Sequence, residues 1–311
     1  MGRTRYLRIS VTARCNLRCR YCHREGQHPL VERSPELSPR EIATATRAAL
    51  EIGFDKVKLT GGEPLVRKDL EEIVRTLRGL GADNLSVITN GTLLRGRARS
   101  LREAGLPRIN VSLNTLDPEA YSRDHGRPPE LLHRTLAGID AALDAGYADL
   151  KVNTVFQGEE SWSHVEGVCD FAGPRGLVVV LLPMMPYGAE AACDPPTLAA
   201  VRRRLDERYG IRAAMPVVDG EGIRRERLDL ENGAQILLRT EELRDRHPYP
   251  ACGTCSRSRA CREGIFPLRL SACGQLVFCM AGGVPELDIR AALQGSDLDG
   301  LRRVLREAAG W

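Results

Sequence analysis

Lysine is almost missing from this chain: there are four, Lys56, Lys58, Lys68 and Lys151, against 41 arginines. A general-purpose cation is written Arg throughout, so a retained Lys marks a position that favours a compact ammonium. Long apolar runs are missing as well. Nothing approaches the roughly 18 apolar residues of a membrane-spanning helix, which excludes such a span. Charge of one sign is not in large excess, and a net charge of +4 gives little reason to propose nucleic acid as a partner. Internal repeats and low-complexity segments are absent. The start, Met-Gly-Arg-Thr-Arg, runs at once into a strand pattern and lacks the marks of a secretory signal, so a cytoplasmic location is expected.

Cysteine is plentiful by contrast, with ten residues, at 15, 19, 22, 169, 193, 252, 255, 261, 273 and 279. Without an export signal, disulfides are disfavoured and metal or catalytic use is expected. The cysteines fall into two groups, 15–22 and 252–279, with Cys169 and Cys193 left over. The 311 residues, 42% of them apolar, suffice for one full α/β domain and a smaller appendage.

Through residue 190 the pattern alternates between strands and helices. Strands are expected at 6–12, 56–60, 85–89, 108–113, 150–156 and 177–182. Helices are expected at 39–52, 68–80, 97–104, 129–145 and 162–172, several of them stopped by Gly. Six such units argue for a parallel sheet with helices outside, short of the eight of a closed barrel. Strands buried on both faces should be apolar throughout, yet several of these alternate. Arg8, Ser10 and Thr12 oppose Leu7, Ile9 and Val11. Lys56, Lys58 and Thr60 oppose Val57 and Leu59. Asn110, Ser112 and Asn114 share one face, as do Lys151 and Asn153. The apolar face must meet the helices, so the polar face lines the concave side of an incomplete barrel. Beyond residue 190 a helix is expected at 196–209, weak alternation at 210–250, and a polar helix at 298–309.

Cys15, Cys19 and Cys22 follow the first strand with spacing C-x3-C-x2-C. Thiolates suit iron–sulfur clusters and zinc. A cubane has four irons, so three local thiolates leave one open to a ligand that is not protein; zinc or buried thiols are the alternative. Gly61-Gly62-Glu63-Pro64 follows the second strand. Its glycines let backbone approach a ligand closely, and Glu63, at the carboxyl end of a strand, is placed to touch it. Thr89-Asn90-Gly91 and Ser112 are further polar residues at strand ends. The second cysteine group begins with a generic C-x2-C that zinc would also use.

The first cysteine motif, with Tyr21 just before its last Cys, resembles the radical S-adenosylmethionine (radical SAM) superfamily. The segments YLRISVTARCNLRCRYCHREG, KLTGGEPLVRKDL, ITNGTLL, RINVSLNTLDPEAY, KVNTVFQG, MMPYG and LRLSACGQLVFCM look like the GTP 3′,8-cyclase (MoaA) branch over nearly the whole chain. The resemblance implies an incomplete (β/α)6 TIM-like barrel, residues 1–190, and a C-terminal twitch- or SPASM-like iron–sulfur domain, 191–311. It implies a [4Fe–4S] cluster on Cys15, Cys19 and Cys22 whose open iron takes SAM. Tyr21, Gly61, Gly62, Glu63, Thr89, Asn90 and Ser112 would contact that cofactor, with Glu63 and its loop holding the SAM amino group. A second, auxiliary [4Fe–4S] cluster would use Cys252, Cys255, Cys261 and Cys279. Cys273 is less favoured, because it stands where the family has the Asp of an Asp-Gly turn. Arg8, Lys56, Lys58, Lys151, Arg257 and Arg259 match the family's substrate-binding cations, which implies an anionic, phosphorylated or nucleotide-like substrate.

Three departures separate the chain from that family's pattern. The strand at 177–182 has no charge where the family places an arginine. The C-terminus, Ala309-Gly310-Trp311, lacks a Gly-Gly tail. Cys261 would cap the auxiliary cluster's otherwise open iron. The expected activity is therefore reductive cleavage of SAM to a 5′-deoxyadenosyl radical, fed by a flavodoxin- or ferredoxin-type donor. That radical would abstract hydrogen from a nucleotide, nucleoside or sugar derivative for rearrangement, epimerisation or oxidation. Cys193 is a candidate hydrogen donor, or else an ordinary loop thiol; Cys169 reads as core. True GTP 3′,8-cyclase is the second reading, and a non-catalytic iron–sulfur or zinc-ribbon protein the third.

Overall fold

Period-two alternation along 6–12, 56–60, 108–113 and 150–156 requires a sheet with one helix-covered face, and the computed structural model has one. It describes residues 6–22, 35–156, 158–184, 197–218, 224–239, 267–279 and 286–309. Strands β1 (Tyr6–Ser10), β2 (Lys56–Thr60), β3 (Leu85–Thr89), β4 (Arg108–Ser112), β5 (Lys151–Phe156) and β6 (Val178–Pro183) pair in that order, all parallel. Between them run α1 (Pro39–Glu51), α2 (Leu70–Gly79), α3 (Ala98–Glu103), α4 (Pro118–His125), α5 (Glu130–Asp144) and α6 (Trp162–Ala172). Leu7, Ile9, Leu59, Val87, Ile109, Val111 and Val152 form the strand side of the core, each no more than 1% exposed. Ile42, Ile73, Leu77, Leu101 and Ile139 of the helices meet them. Ends are capped as the sequence dictates: Ser38 and Glu41 make a reciprocal capping box on α1.

The remaining described strands extend the same sheet at both edges. After α7 (Leu198–Tyr209) come β7 (Ile211–Val218), β8 (Arg224–Leu230) and β9 (Gln235–Arg239), an antiparallel meander whose last strand lies parallel to β6. At the other edge β10 (Pro267–Leu270) lies parallel to β1, followed by β11 (Gln275–Val277) and β12 (Leu287–Asp288). The order is β12-β11-β10-β1-β2-β3-β4-β5-β6-β9-β8-β7. Eight parallel strands are thus contiguous, two more than the six βα units. Helices α8 (Arg290–Gly295) and α9 (Leu298–Ala308) close on α1, where Arg302 reaches Glu51.

Candidate functional site

The cysteine loop lies at the carboxyl end of β1, clamped to the loop after β2. Gly62 N–H donates to the Thr12 carbonyl and Glu63 N–H to that of Arg14, both at 2.8 Å. The contact is so close that a Cβ on Gly61 would stand 2.3 Å from the Thr12 oxygen, and one on Gly62 2.3 Å from that of Arg14. The two glycines thus admit the backbone of the cysteine loop. Arg67 completes the clamp: Nη1 donates to the Val11 carbonyl at 2.5 Å, while the guanidinium pairs with Asp69 at 2.7 Å.

Glu63 is 1% exposed. Its carboxylate accepts from Leu65 N–H (3.0 Å), Thr89 Oγ1 (2.6 Å) and Asn90 N–H (2.7 Å). Burial pushes its pKa up, and the three donors pull it back by favouring the ionised form. The Thr89 and Asn90 side chains are committed to this framework. Asn90 Nδ2 donates to Asn16 Oδ1 (2.8 Å), Asn16 Nδ2 to Thr92 Oγ1 (2.8 Å), and Thr92 Oγ1 to Asn90 Oδ1 (2.7 Å). This closed ring ties Asn16, inside the cysteine motif, to the end of β3.

Tyr21 anchors the other side of the loop through a chain of hydrogen bonds with one direction. Val155 N–H donates to Asn114 Oδ1 (2.9 Å), and Asn114 Nδ2 donates to Tyr21 Oη (2.6 Å). His125 Nδ1 faces the Tyr121 carbonyl at 2.8 Å, so it carries the proton, and Nε2 accepts from the Tyr21 hydroxyl at 2.8 Å. Burial lowers the His125 pKa, in keeping with a neutral ring, and raises that of Tyr21 well above its ordinary value. Helix α4 presents this histidine and also holds the loop's backbone: Arg18 N–H donates to the His125 carbonyl (2.9 Å) and Arg20 N–H to that of Asp124 (3.0 Å). Neither α4 nor the parts played by Asn16, Asn114 and His125 was read from sequence. Asp117-Pro118, an N-cap followed by Pro, and Gly126 at the C-cap were the available signals.

The concave face carries the cations. Register sets Arg269 of β10, Arg8 of β1 and Lys58 of β2 side by side, with Ser86 and Arg108 continuing the row. Lys56 and Lys58 are 8% and 7% exposed, and both ammonium groups lie 5.2 Å from the Tyr6 ring centre. Lys151 faces the same way and sits 3.5 Å from Asp149. Ser112 lies beside Asn153 on this face. Lys68, the fourth lysine, is exposed outside it. Arg269 is an addition to the sequence reading; the alternation of Pro-Leu-Arg-Leu was its signal.

The sequence model of the Radical SAM superfamily matches residues 9–172. A probable GTP 3′,8-cyclase of Methanothermobacter marburgensis is 32% identical over 315 residues, covering 97% of this chain and 92% of that one. The chain belongs to the radical SAM superfamily, in its MoaA-like branch. GTP 3′,8-cyclase 1 of Mycobacterium tuberculosis is 35% identical over 268 residues, with coverage of 84% and 72%. The solved structure of SuiB of Streptococcus suis bound to precursor peptide SuiA matches at TM-score 0.64 and 15% identity. It shares 97% of this chain, which spans 65% of SuiB, and at that identity the likeness concerns the fold alone. Membership sets aside the non-catalytic reading: this is a MoaA-like radical SAM enzyme, using a [4Fe–4S] cluster and SAM.

The three N-terminal thiols fit that cluster. Burial raises the pKa of Cys15 and pushes Cys19 up to about 12, and the charge of Cys22 raises both further. Three neighbouring thiolates coexist only beside compensating positive charge, which iron supplies. Among the described residues no three Cys, His, Asp or Glu gather tightly enough for a single ion. A cubane asks for less, since each thiolate takes its own iron. Of the remaining radical SAM candidates, Cys193, Cys252, Cys255, Cys261, Arg257 and Arg259 lie outside the described residues. Cys279 is partly buried. Cys273 is 2% exposed in the β10–β11 turn, with its sulfur 3.3 Å from Ser271 Oγ. Cys169 is fully buried in the core of α6, as expected.

Proposed function

We propose that this MoaA-like enzyme abstracts hydrogen from an anionic, nucleotide-type substrate held on the concave face. The observation that carries the reading is the clamp between the cysteine loop and the Gly61–Glu63 loop, which ties the buried Glu63 to the loop that carries Cys15, Cys19 and Cys22. With cluster, SAM and an electron donor of the flavodoxin or ferredoxin type, the site supplies a 5′-deoxyadenosyl radical. The chain's own residues hold and shield. Cys15, Cys19 and Cys22 carry the cluster, Glu63 offers its carboxylate to the SAM amino group, and Tyr21, Gly61, Gly62, Thr89, Asn90 and Ser112 shape that pocket. Arg8, Lys56, Lys58 and Lys151, with Arg257 and Arg259, face the substrate's negative charge. Holding the reactants in register and excluding water is the protein's contribution to rate. A twitch-like unit over 191–311, with a second [4Fe–4S] cluster on Cys252, Cys255, Cys261 and Cys279, belongs to the same reading, as does a cytoplasmic location. Among the described residues no helix is long and apolar enough to cross a membrane.

The test is 5′-deoxyadenosine release by anaerobically reconstituted, reduced enzyme with SAM and a panel of nucleotides, nucleosides and nucleotide sugars. Release that depends on one of these supports the reading, and no release with any of them overturns it. About eight irons per chain support the second cluster, and about four oppose it. GTP 3′,8-cyclisation is the second reading, favoured by the names of the relatives; a cyclised product from GTP decides for it.

A further inference from the structure

Of the four lysines, Lys68 alone is left unused by the concave face. It is exposed, and it lines a cleft of about 370 Å³ beside the cysteine loop. Arg14, Glu36, Pro39, Arg67 and Asp69 line the cleft with it. Two of these belong to the clamp between the loops: Arg67 holds the Val11 carbonyl, and the Arg14 carbonyl accepts from Glu63 N–H. Arg14 also directly precedes Cys15. A partner seated in the cleft therefore touches the residue next to a cluster ligand.

The charges of the lining are sorted by depth. Asp69 accepts from Nε and Nη2 of the buried Arg67, at 2.7 and 3.0 Å. Glu36 is turned to the cysteine loop, where it accepts from Thr12 Oγ1, Ala13 N–H (3.3 Å) and Arg14 Nε (3.4 Å). The exposed charges are positive: Lys68, the Arg14 side chain at 65%, and Arg40, next to Pro39 of the lining. Lys68 directly precedes the N-cap of α2, and Arg40 stands in the first turn of α1. A cation in either place opposes the helix dipole, so helix stability gives no reason for these two charges.

A cation-rimmed cleft against the cluster loop fits a partner with two properties, negative surface charge and an electron to give. We propose that this cleft is the docking surface of the external reductant, an acidic one-electron carrier protein whose carboxylates meet Lys68, Arg40 and Arg14. The inference rests on the reading that the N-terminal cluster is reduced from outside before SAM is cleaved. One electron leaves the carrier, which is oxidised by one, and enters the cluster, which is reduced by one; no bond forms and no proton moves. Charge of opposite sign on the two surfaces raises the rate of encounter more than the strength of binding.

Stopped-flow absorbance of anaerobically reconstituted enzyme, mixed with a dilute photoreduced acidic flavodoxin, follows cluster reduction directly. Lys68→Glu and Arg40→Glu are each expected to slow it roughly tenfold at about 0.1 M salt. Salt of about 1 M, where the screening length is about 3 Å, is expected to bring variants and wild type together. Reduced methyl viologen, a small cation that needs no docking surface, is expected to reduce the variants no more slowly than the wild type. Arg203→Glu on α7, 74% exposed, controls for net charge and is expected to match the wild type with both reductants. Wild-type rates with flavodoxin in both reversals overturn the docking surface, as does an equal slowing with viologen or in Arg203→Glu. A wild type that viologen reduces and flavodoxin does not overturns it too. Where a reversal loses its cluster absorbance, Lys68→Gln and Arg40→Gln decide by the same two rates. Cluster reduction needs neither substrate nor turnover. Failure to release 5′-deoxyadenosine would therefore overturn the catalytic reading and leave this comparison standing.

Discussion

A methyl group on Gly62 would meet the Arg14 carbonyl oxygen at 2.3 Å and that of Ala13 at 2.7 Å. Backbone cannot yield as the tip of a flexible side chain can, so the two loops would have to separate. Gly62→Ala is expected to destabilise the protein by about 3 kcal/mol and to lower the iron bound after reconstitution. Thermal melts and iron analysis check both; a normal melting temperature with full iron would refute the clamp. Tyr21 offers a second test at the same scale. Its hydroxyl accepts from Asn114 and donates to His125, so Tyr21→Phe strands two polar partners at a cost of about 1–3 kcal/mol. A double-mutant cycle with Asn114→Ala measures the coupling, and strict additivity would show that the hydroxyl is not the link. The glycines, Glu63 and Tyr21 were legible as a pattern. Their partners were not, because Thr12, Asn114 and His125 come from distant parts of the chain and meet only through the parallel register.

Element by element, the six barrel strands were readable because β1, β2, β4 and β5 alternate and each of the six is separated from the next by a helical pattern. Helix α4 escaped because it has eight residues and places only Ala120 and Tyr121 as apolar groups in the core. Strands β11 and β12, of three and two residues, are below the length at which alternation carries information, and β10, of four, is at its lower limit. The cost of overlooking α4 is functional, since this element holds the cysteine loop. His125, 4% exposed, faces the Tyr21 hydroxyl and the Tyr121 ring, with Asp124 beside it paired to Arg20 and Arg123. Burial lowers its pKa below the unfolded value of about 6.5, so the unfolded chain binds more protons between the two values. The resulting stability is complete above the unfolded pKa and is lost as pH falls through the folded one. Melting temperature is therefore expected to drop from about pH 8 to about pH 5.5, and to drop less in His125→Gln, which cannot titrate there. Parallel pH profiles for the two proteins would contradict this.

At the scale of the whole molecule, a modest net charge of +4 conceals a strongly uneven distribution. Arg8, Lys56, Lys58, Arg108, Lys151 and Arg269 converge on one concave surface, three of them side by side. The unbroken twelve-stranded sheet that extends this surface at both edges was not foreseen, because pairing between segments far apart in the chain, as when Tyr6 lies beside Pro267, leaves no local signal. On the proposed reading, a bound anion stabilises the protein through this surface. Lys58→Met makes the balance measurable. It relieves repulsion from Arg8, worth up to about 1 kcal/mol, and forfeits the contact with the Tyr6 ring, worth about as much. The unliganded melting temperature should hence change little. The increment on adding a saturating nucleoside triphosphate should behave differently: a hundredfold excess over the dissociation constant adds about 2.7 kcal/mol to the wild type, and a tenfold loss of affinity removes about half of that. Raising salt from about 0.1 M to 1 M shortens the screening length from about 10 Å to about 3 Å, so the wild-type increment should shrink toward that of the variant. An increment insensitive to both the substitution and the salt would mean that the concave face does not hold the ligand's charge.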